Sequence, residues 1–92
     1  MMVDRVHCAH ILVKTEEAAK AVLARLQAGE SFSKLAMELS QCPSGKKGGD
    51  LGEFGRGQII REFELVAFKL GKGETSGIVK TQFGYHIIKR LA

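Results

Sequence analysis

The chain has 92 residues, of which 45% are apolar and 26% are charged, and its formal net charge is +4. This length excludes the eight-stranded α/β barrel and a full dinucleotide-binding domain, and it predicts a single domain over residues 1–92. The apolar fraction is too high for an intrinsically disordered chain. Eleven glycines and one proline exclude a proline-rich linker and a collagen-like repeat.

The excess of basic residues is small and dispersed along the chain. Adjacent basic residues occur only at 46–47 and 89–90, so we do not expect nucleic acid as a partner. Cys8 and Cys42 are expected to be free thiols, because a domain of this size does not need a disulfide. No apolar run approaches the roughly 20 residues of a membrane helix, and residues 1–5 lack the apolar segment of a signal peptide. We therefore expect a cytoplasmic protein with no membrane contact.

An apolar run at residues 6–13 has β-branched ends and the length of a strand. Because side chains alternate along a strand, Cys8, His10 and Leu12 are expected on one face and the residues between them on the other. Both faces are largely apolar, which predicts a strand in the interior of a sheet.

Two helices are predicted after this strand. Thr15 can cap the first, two glutamates follow it at the positive end, and apolar residues recur at helical spacing until Gly29. The second helix begins at Ser31 and ends at residues 40–43, which contain the proline.

Residues 45–57 contain six glycines, so a loop is predicted there, with a short strand or turn around residues 51–54 as an open alternative. A third helix fits residues 62–70, which have acidic residues in the first turn and a glycine after the last. Residues 77–80 and 85–91 are predicted to be two strands joined by a short turn, and hence an antiparallel hairpin. The pattern describes one α+β domain without an internal repeat.

The sequence contains residues that could form a metal site, a phosphate-binding loop or a nucleophilic site. Cys8, His10, Cys42 and His86 are possible metal ligands, but their spacing fits no paired zinc motif. Residues 45–49 are rich in glycine and lysine, yet they lack the preceding strand and terminal Lys-Ser/Thr of a phosphate-binding loop. A nucleophilic Cys42 with a histidine base is chemically permitted, although nothing in the spacing predicts an oxyanion hole. Composition alone favours Cys42 as a small apolar residue at a helix end.

A similar short pattern occurs near both ends of the chain. A histidine heads an apolar strand segment at residues 10–13 and again at residues 86–89. If the two strands are neighbours, the imidazoles can lie side by side in one polar network. The two histidines are then either a buried pair with its hydrogen bonds satisfied or a pair that polarises a group above the sheet. The spacing alone leaves both interpretations open.

Read together, several short blocks in a fixed order resemble the parvulin family of peptidyl-prolyl cis/trans isomerases. These blocks are Ala9-His10-Ile11-Leu12, Phe32-x-x-Leu35-Ala36, Ser40-x-Cys42-x-Ser44, Gly48-Gly49-Asp50-Leu51-Gly52-x-Phe54-x-x-Gly57, Phe63-Glu64 with Ala67-Phe68, and Val79-x-Thr81-x-x-Gly84-Tyr85-His86-Ile87-Ile88-Lys89. The resemblance covers essentially the whole chain. It implies a four-stranded antiparallel sheet surrounded by helices, in the order β-α-α-α-β-α-β-β, with the first and last strands as central neighbours.

The resemblance also implies the site residues. The family's catalytic positions fall on His10, Cys42, Thr81 and His86, where the cysteine is aspartate in some members. Its prolyl pocket falls on Leu51, Ile59 and Phe63, with Phe83 near the entrance. Ile59 stands where methionine is usual, and Arg61-Glu62 stands where proline often precedes the phenylalanine. The basic loop that phospho-specific members carry after the first strand is absent, so phosphate recognition is not expected.

The implied activity is that of a rotamase acting on proline-containing peptides and on unfolded or partly folded proteins, without cofactor or metal and as a monomer. We expect a non-covalent mechanism, because members with aspartate at the position of Cys42 cannot form the same adduct. The alternative is a peptide-binding chaperone module with little catalysis.

Overall fold

The structure, a computed structural model, describes residues 4–92. Residues 1–3, on which part of the signal-peptide expectation rests, lie outside this range. The elements in chain order are β1 (Arg5–Val13), α1 (Glu16–Gln27), α2 (Phe32–Leu39), a 3-10 helix (Pro43–Lys47), β2 (Asp50–Gly55), α3 (Arg61–Ala67), β3 (Thr75–Thr81) and β4 (Gly84–Arg90). The order β-α-α-α-β-α-β-β is confirmed, and its third helical element is the 3-10 helix. Among these helices none is long and apolar enough to cross a membrane.

The four strands form one antiparallel sheet in the order β2-β1-β4-β3. The pairing of β1 with β4 runs without interruption from Cys8 opposite Arg90 to Val13 opposite Tyr85. The first and last strands are therefore central neighbours, as the resemblance implied. Both faces of β1 are covered, which explains why its sequence is apolar on both faces.

The alternation predicted for β1 is confirmed by the two cores. Ala9, Ile11 and Val13 pack on one face of the sheet with residues of α1 and α2. Val6 and Cys8 pack on the other face with Phe54, with Phe63 and with further residues of α3. A helical layer thus covers each face, and the site described below lies on the α3 side.

The helix starts follow from side-chain caps. The hydroxyl of Thr15 accepts a hydrogen bond from the Ala18 N–H, and the hydroxyl of Ser31 accepts one from the Lys34 N–H. The third helix was predicted too long, because α3 ends at Ala67. Beyond it the chain turns back toward the sheet, where the Arg90 guanidinium donates to the Leu70 carbonyl at 2.7 Å.

The glycine-rich segment is more regular than predicted, since it contains the 3-10 helix and the six-residue strand β2. His7 Nε2 donates to the Asp50 carboxylate at 2.6 Å, and this contact ties the start of β2 to β1. The same carboxylate accepts from the Gly52 N–H at 2.7 Å. These two bonds, the backbone bond first, hold the pKa of Asp50 below its usual value.

One glycine in this segment is required by the position of β1. Gly49 has a φ of +86°, and a Cβ on it would lie 2.3 Å from the backbone oxygen of His10. Its own carbonyl accepts from the His10 N–H at 2.9 Å. The segment therefore lies directly against the backbone that carries His10.

Candidate active site

Two buried histidines stand side by side in the centre of the sheet. His10 comes from β1 and His86 from β4, and their exposed fractions are 5% and 3%. Their Nδ1 atoms are 2.9 Å apart, and the rings are stacked with an interplanar angle of 21°. The two imidazoles therefore lie side by side, as expected if the two strands are neighbours.

Thr81 completes the network at the end of β3. Its hydroxyl lies 2.7 Å from Nε2 of His86 and accepts a hydrogen bond from the Phe83 N–H at 3.1 Å. The arrangement with the fewest unpartnered groups has the Thr81 hydroxyl donating to His86 Nε2. His86 then carries its proton on Nδ1 and donates to His10 Nδ1, which leaves His10 as the Nε2–H tautomer. This Nε2 is buried and has no partner among residues 4–92.

Both imidazoles are held in the neutral form. Burial, followed by the proximity of His86, lowers the pKa of His10 to about 4. Burial also lowers the pKa of His86. Neutral rings are compatible with a shared hydrogen bond because one Nδ1 donates and the other accepts, whereas protons on both Nδ1 atoms would place two N–H groups face to face.

The histidines form one wall of an apolar cleft with a volume of about 330 Å³. The cleft is also lined by Cys42, Leu51, Ile59, Phe63 and Phe83, so the structure brings together every site residue predicted from the sequence except Thr81. Thr81 does not line the cleft but is hydrogen-bonded to two residues that do, His86 and Phe83. Four further lining residues were missed by sequence reasoning: Leu12, Gln41, Pro43 and Ile60.

Phe63 connects the cleft to the core. It is 1% exposed, and its ring meets the two imidazoles edge-on, with centroid distances of 5.4 Å to His10 and 5.5 Å to His86. Phe83, in the turn between β3 and β4, is 60% exposed at the rim. The cleft thus has a buried aromatic floor and an exposed aromatic edge.

Cys42 is half-buried between α2 and the 3-10 helix, where it faces the cleft. The hydroxyl of Ser44 donates to its Sγ at 3.2 Å. The hydroxyl of Ser40 accepts from the N–H groups of Leu12 and Cys42 at 3.0 and 3.4 Å, and the Gln41 N–H donates to the Leu12 carbonyl at 2.7 Å. These bonds fix the cysteine to β1 two residues from His10. The motif Ser40-x-Cys42-x-Ser44 was the only sequence signal for them.

The other constellations are not assembled. Cys8 is separated from the cleft in the apolar core beneath α3, where burial raises the pKa of its thiol to about 11. In the part of the chain that the structure describes, no group of three or more potential ligands is placed to hold a metal ion. Residues 45–49, for which the phosphate-binding loop was rejected on sequence, contain the end of the 3-10 helix at Lys47 and its C-terminal cap, Gly48.

Most of the chain is similar to a known protein family. A family model described as "Rotamase: PPIC-type PPIASE domain" matches residues 10–92. The foldase protein PrsA of Geobacillus kaustophilus is 57% identical over 86 residues, which are 92% of this chain and 31% of that relative. The chain therefore spans about a third of the length of such relatives.

Two small solved structures match over the whole chain. NmPin, the parvulin of Nitrosopumilus maritimus, is 46% identical with a TM-score of 0.88, and each chain is covered completely. CsPin, from the archaeon Cenarcheaum symbiosum, is 54% identical with a TM-score of 0.85, and the match covers 100% of this chain and 96% of the other.

Proposed function

The chain belongs to the PPIC-type peptidyl-prolyl isomerase family, the parvulins, and from that premise we propose where and how it acts. As a peptidyl-prolyl cis/trans isomerase domain, it rotates X-Pro bonds of unfolded or partly folded proteins in the cleft between His10, Cys42 and Phe63. The observation that carries this proposal is the cleft itself, an apolar space of about 330 Å³ with a hydrogen-bonded histidine pair in one wall. The relatives described as foldases support protein chains as substrates.

The reaction breaks no covalent bond but must twist an amide, against a barrier of about 18–20 kcal/mol. A millionfold acceleration requires about 8 kcal/mol of that barrier to be removed. The planar amide is more polar than the twisted one, so an apolar environment disfavours the ground state. Leu51, Ile59 and Phe63 hold the proline ring and exclude water, while the carbonyl half of the amide remains free to rotate.

The polar wall of the cleft acts on that carbonyl half. With the proline ring in the cup, Cys42, which lines the cleft, would face the preceding carbonyl, and the Ser44 hydroxyl that donates to its sulfur would orient it. The chain Thr81–His86–His10 fixes the tautomer of both imidazoles and so the charge distribution behind the cleft. The mechanism is non-covalent, because parvulins with aspartate at the cysteine position share the site but not a sulfur nucleophile.

We further propose a monomeric, cytoplasmic protein without phosphate specificity. The segment after β1 supports the last point, because Lys14 is followed by Glu16 and Glu17 in the first turn of α1 rather than by a basic loop. The large exposed apolar residues of the described chain are dispersed over three elements, which supports a monomer: Met37, Leu65 and Phe83.

A peptide-binding chaperone with little catalysis is the second candidate, and it is favoured by similarity to a solved structure described as a SurA-like chaperone of Campylobacter jejuni, 39% identical with a TM-score of 0.91. The two are separated by cis/trans exchange of X-Pro tetrapeptides, measured by NMR exchange spectroscopy with varied X. We expect exchange to accelerate at catalytic protein concentrations, and the order of X to give the preference of the cleft. Binding without acceleration for every X would refute the isomerase proposal and establish the chaperone module.

A further inference from the structure

A second hollow, with a volume of about 340 Å³, adjoins the prolyl cleft at Cys42. Its lining includes Met37, Ser40, Gln41, Cys42, Pro43 and Lys46. Three of these, Gln41, Cys42 and Pro43, also line the prolyl cleft. The two spaces therefore form one continuous surface that crosses the cysteine.

The chemistry of this second hollow differs from that of the prolyl cleft. Met37 is 58% exposed although it projects from an amphipathic helix. Lys46 is exposed on the 3-10 helix and forms no ion pair within residues 4–92. Glu38, the acidic neighbour of Met37 on α2, is already paired with Arg25 at 3.3 Å. The apolar side chain of Met37 and the ammonium group of Lys46 thus line the same hollow as Cys42.

We propose, resting on the isomerase function above, that this hollow is a second substrate subsite, which binds the segment preceding the proline. Met37 contacts an apolar side chain of that segment, and Lys46 pairs with an acidic one. The direction of the chain follows from the mechanism. The proline ring lies in the cup of Leu51, Ile59 and Phe63 with the preceding carbonyl at Cys42, so the residues before that carbonyl continue past the cysteine.

The spacing predicts the position of the acidic residue. Lys46 follows Cys42 by four residues along the 3-10 helix, a distance of roughly 8 Å at about 2 Å per residue. An extended peptide covers that distance in about two to three residues, at roughly 3.3 Å each. Counted from the residue whose carbonyl lies at Cys42, the preferred acidic side chain should therefore be the third or fourth residue before the proline.

The test uses hexapeptides with a fixed Ala-Pro pair and Glu, Gln or Lys at the third position before the proline. We expect the Glu peptide to exceed the Gln peptide about threefold in kcat/KM, the size typical of one exposed ion pair. The difference should lie in KM, since the contact is equal in ground and transition states, and it should shrink with added salt. The same substitutions placed after the proline should have no effect.

Lys47 supplies a matched control, because it carries the same charge on the same 3-10 helix but lines a different hollow, with Ser31, Ser33 and Lys89. Lys46→Gln should abolish the preference for Glu, whereas Lys47→Gln should retain it. Met37→Ser should lower kcat/KM only for peptides with an apolar residue before the Ala-Pro pair.

Equal kcat/KM for Glu and Gln peptides in the parent protein would overturn the subsite, as would equal losses in the two lysine variants. If no peptide is isomerised, the proposed function fails instead. Chemical-shift titration with the same peptides then tests the subsite separately, with tighter binding of the Glu peptide expected and equal binding refuting it.

Discussion

Acidification from about pH 7 to pH 4 should destabilise the domain through its buried histidine pair. Burial and His86 lower the pKa of His10 from 6.5 to about 4 in the folded chain. Between these values the unfolded chain binds a proton that the folded chain does not, so stability rises with pH across this window. The contribution is fully present above about pH 6.5 and is lost as the pH falls toward 4.

The magnitude follows from the two pKa values. Each tenfold change in proton affinity corresponds to about 1.4 kcal/mol, so His10 alone contributes about 3 kcal/mol of pH-dependent stability. The pKa of His86 is lowered as well, which adds to the loss with the same sign. Against a total of about 5–15 kcal/mol for a small domain, this loss is large enough to measure.

The assay is urea unfolding, followed by circular dichroism, over this pH range. The matched variant is His10→Asn, whose side-chain oxygen can still accept from His86 but does not titrate. We expect the variant to be less stable at neutral pH, by about 1–3 kcal/mol, and to lose less stability on acidification. Carboxylates titrate in both proteins and cancel in the difference. Parallel pH curves for parent and variant would refute the assigned histidine network.

Three further predictions concern the cleft. Phe63→Ala should abolish most of the isomerase activity by opening the cup and should cost about 3–5 kcal/mol of unfolding free energy. Phe63→Leu, which keeps an apolar side chain at this position, serves as the folded control. Full turnover by the Phe63→Ala protein in the NMR exchange assay would contradict the pocket assignment. Cys42→Asp should retain much of the activity, and complete inactivity of a folded Cys42→Asp protein would instead favour covalent chemistry at the sulfur. Thr81→Val keeps the shape but removes the donor to His86, so denaturant unfolding should show a loss of about 1–3 kcal/mol; unchanged stability would mean that this hydrogen bond has no structural role.

The positions of the histidines within their strands were predictable from sequence, because each is followed directly by apolar residues in a segment with the length and composition of a strand. Their contact was not predictable from that pattern alone, since it depends on β1 and β4 being neighbours, and this order entered only through the resemblance. The same applies to Ser40 and Ser44. Their hydroxyls act on the Leu12 backbone and the Cys42 sulfur, and no local preference specifies such partners.

The errors in the predicted elements also have physical causes. The glycines of residues 45–57 left a strand around residues 51–54 only as an open alternative, since glycine has a weak strand preference. The pairing of β2 with β1 and the bond from His7 to Asp50 outweigh that preference. The apolar spacing at residues 62–70 continued past the real end of α3. There the Arg56 guanidinium lies 4.2 Å from the ring centre of Phe68, and Arg90 binds the carbonyl of Leu70. These tertiary contacts determine the boundary.

The pairing of the first strand with the last has a consequence for synthesis of the protein. His10 and His86 are 76 positions apart, so a nascent chain contains His10 long before His86 is translated. Until β4 has emerged from the ribosome, β1 lacks the strand that pairs with it from Cys8 to Val13. Contacts of such sequence separation form late compared with local helices. The cleft between His10, Cys42 and Phe63 is therefore complete only once β4, which supplies His86, has been translated.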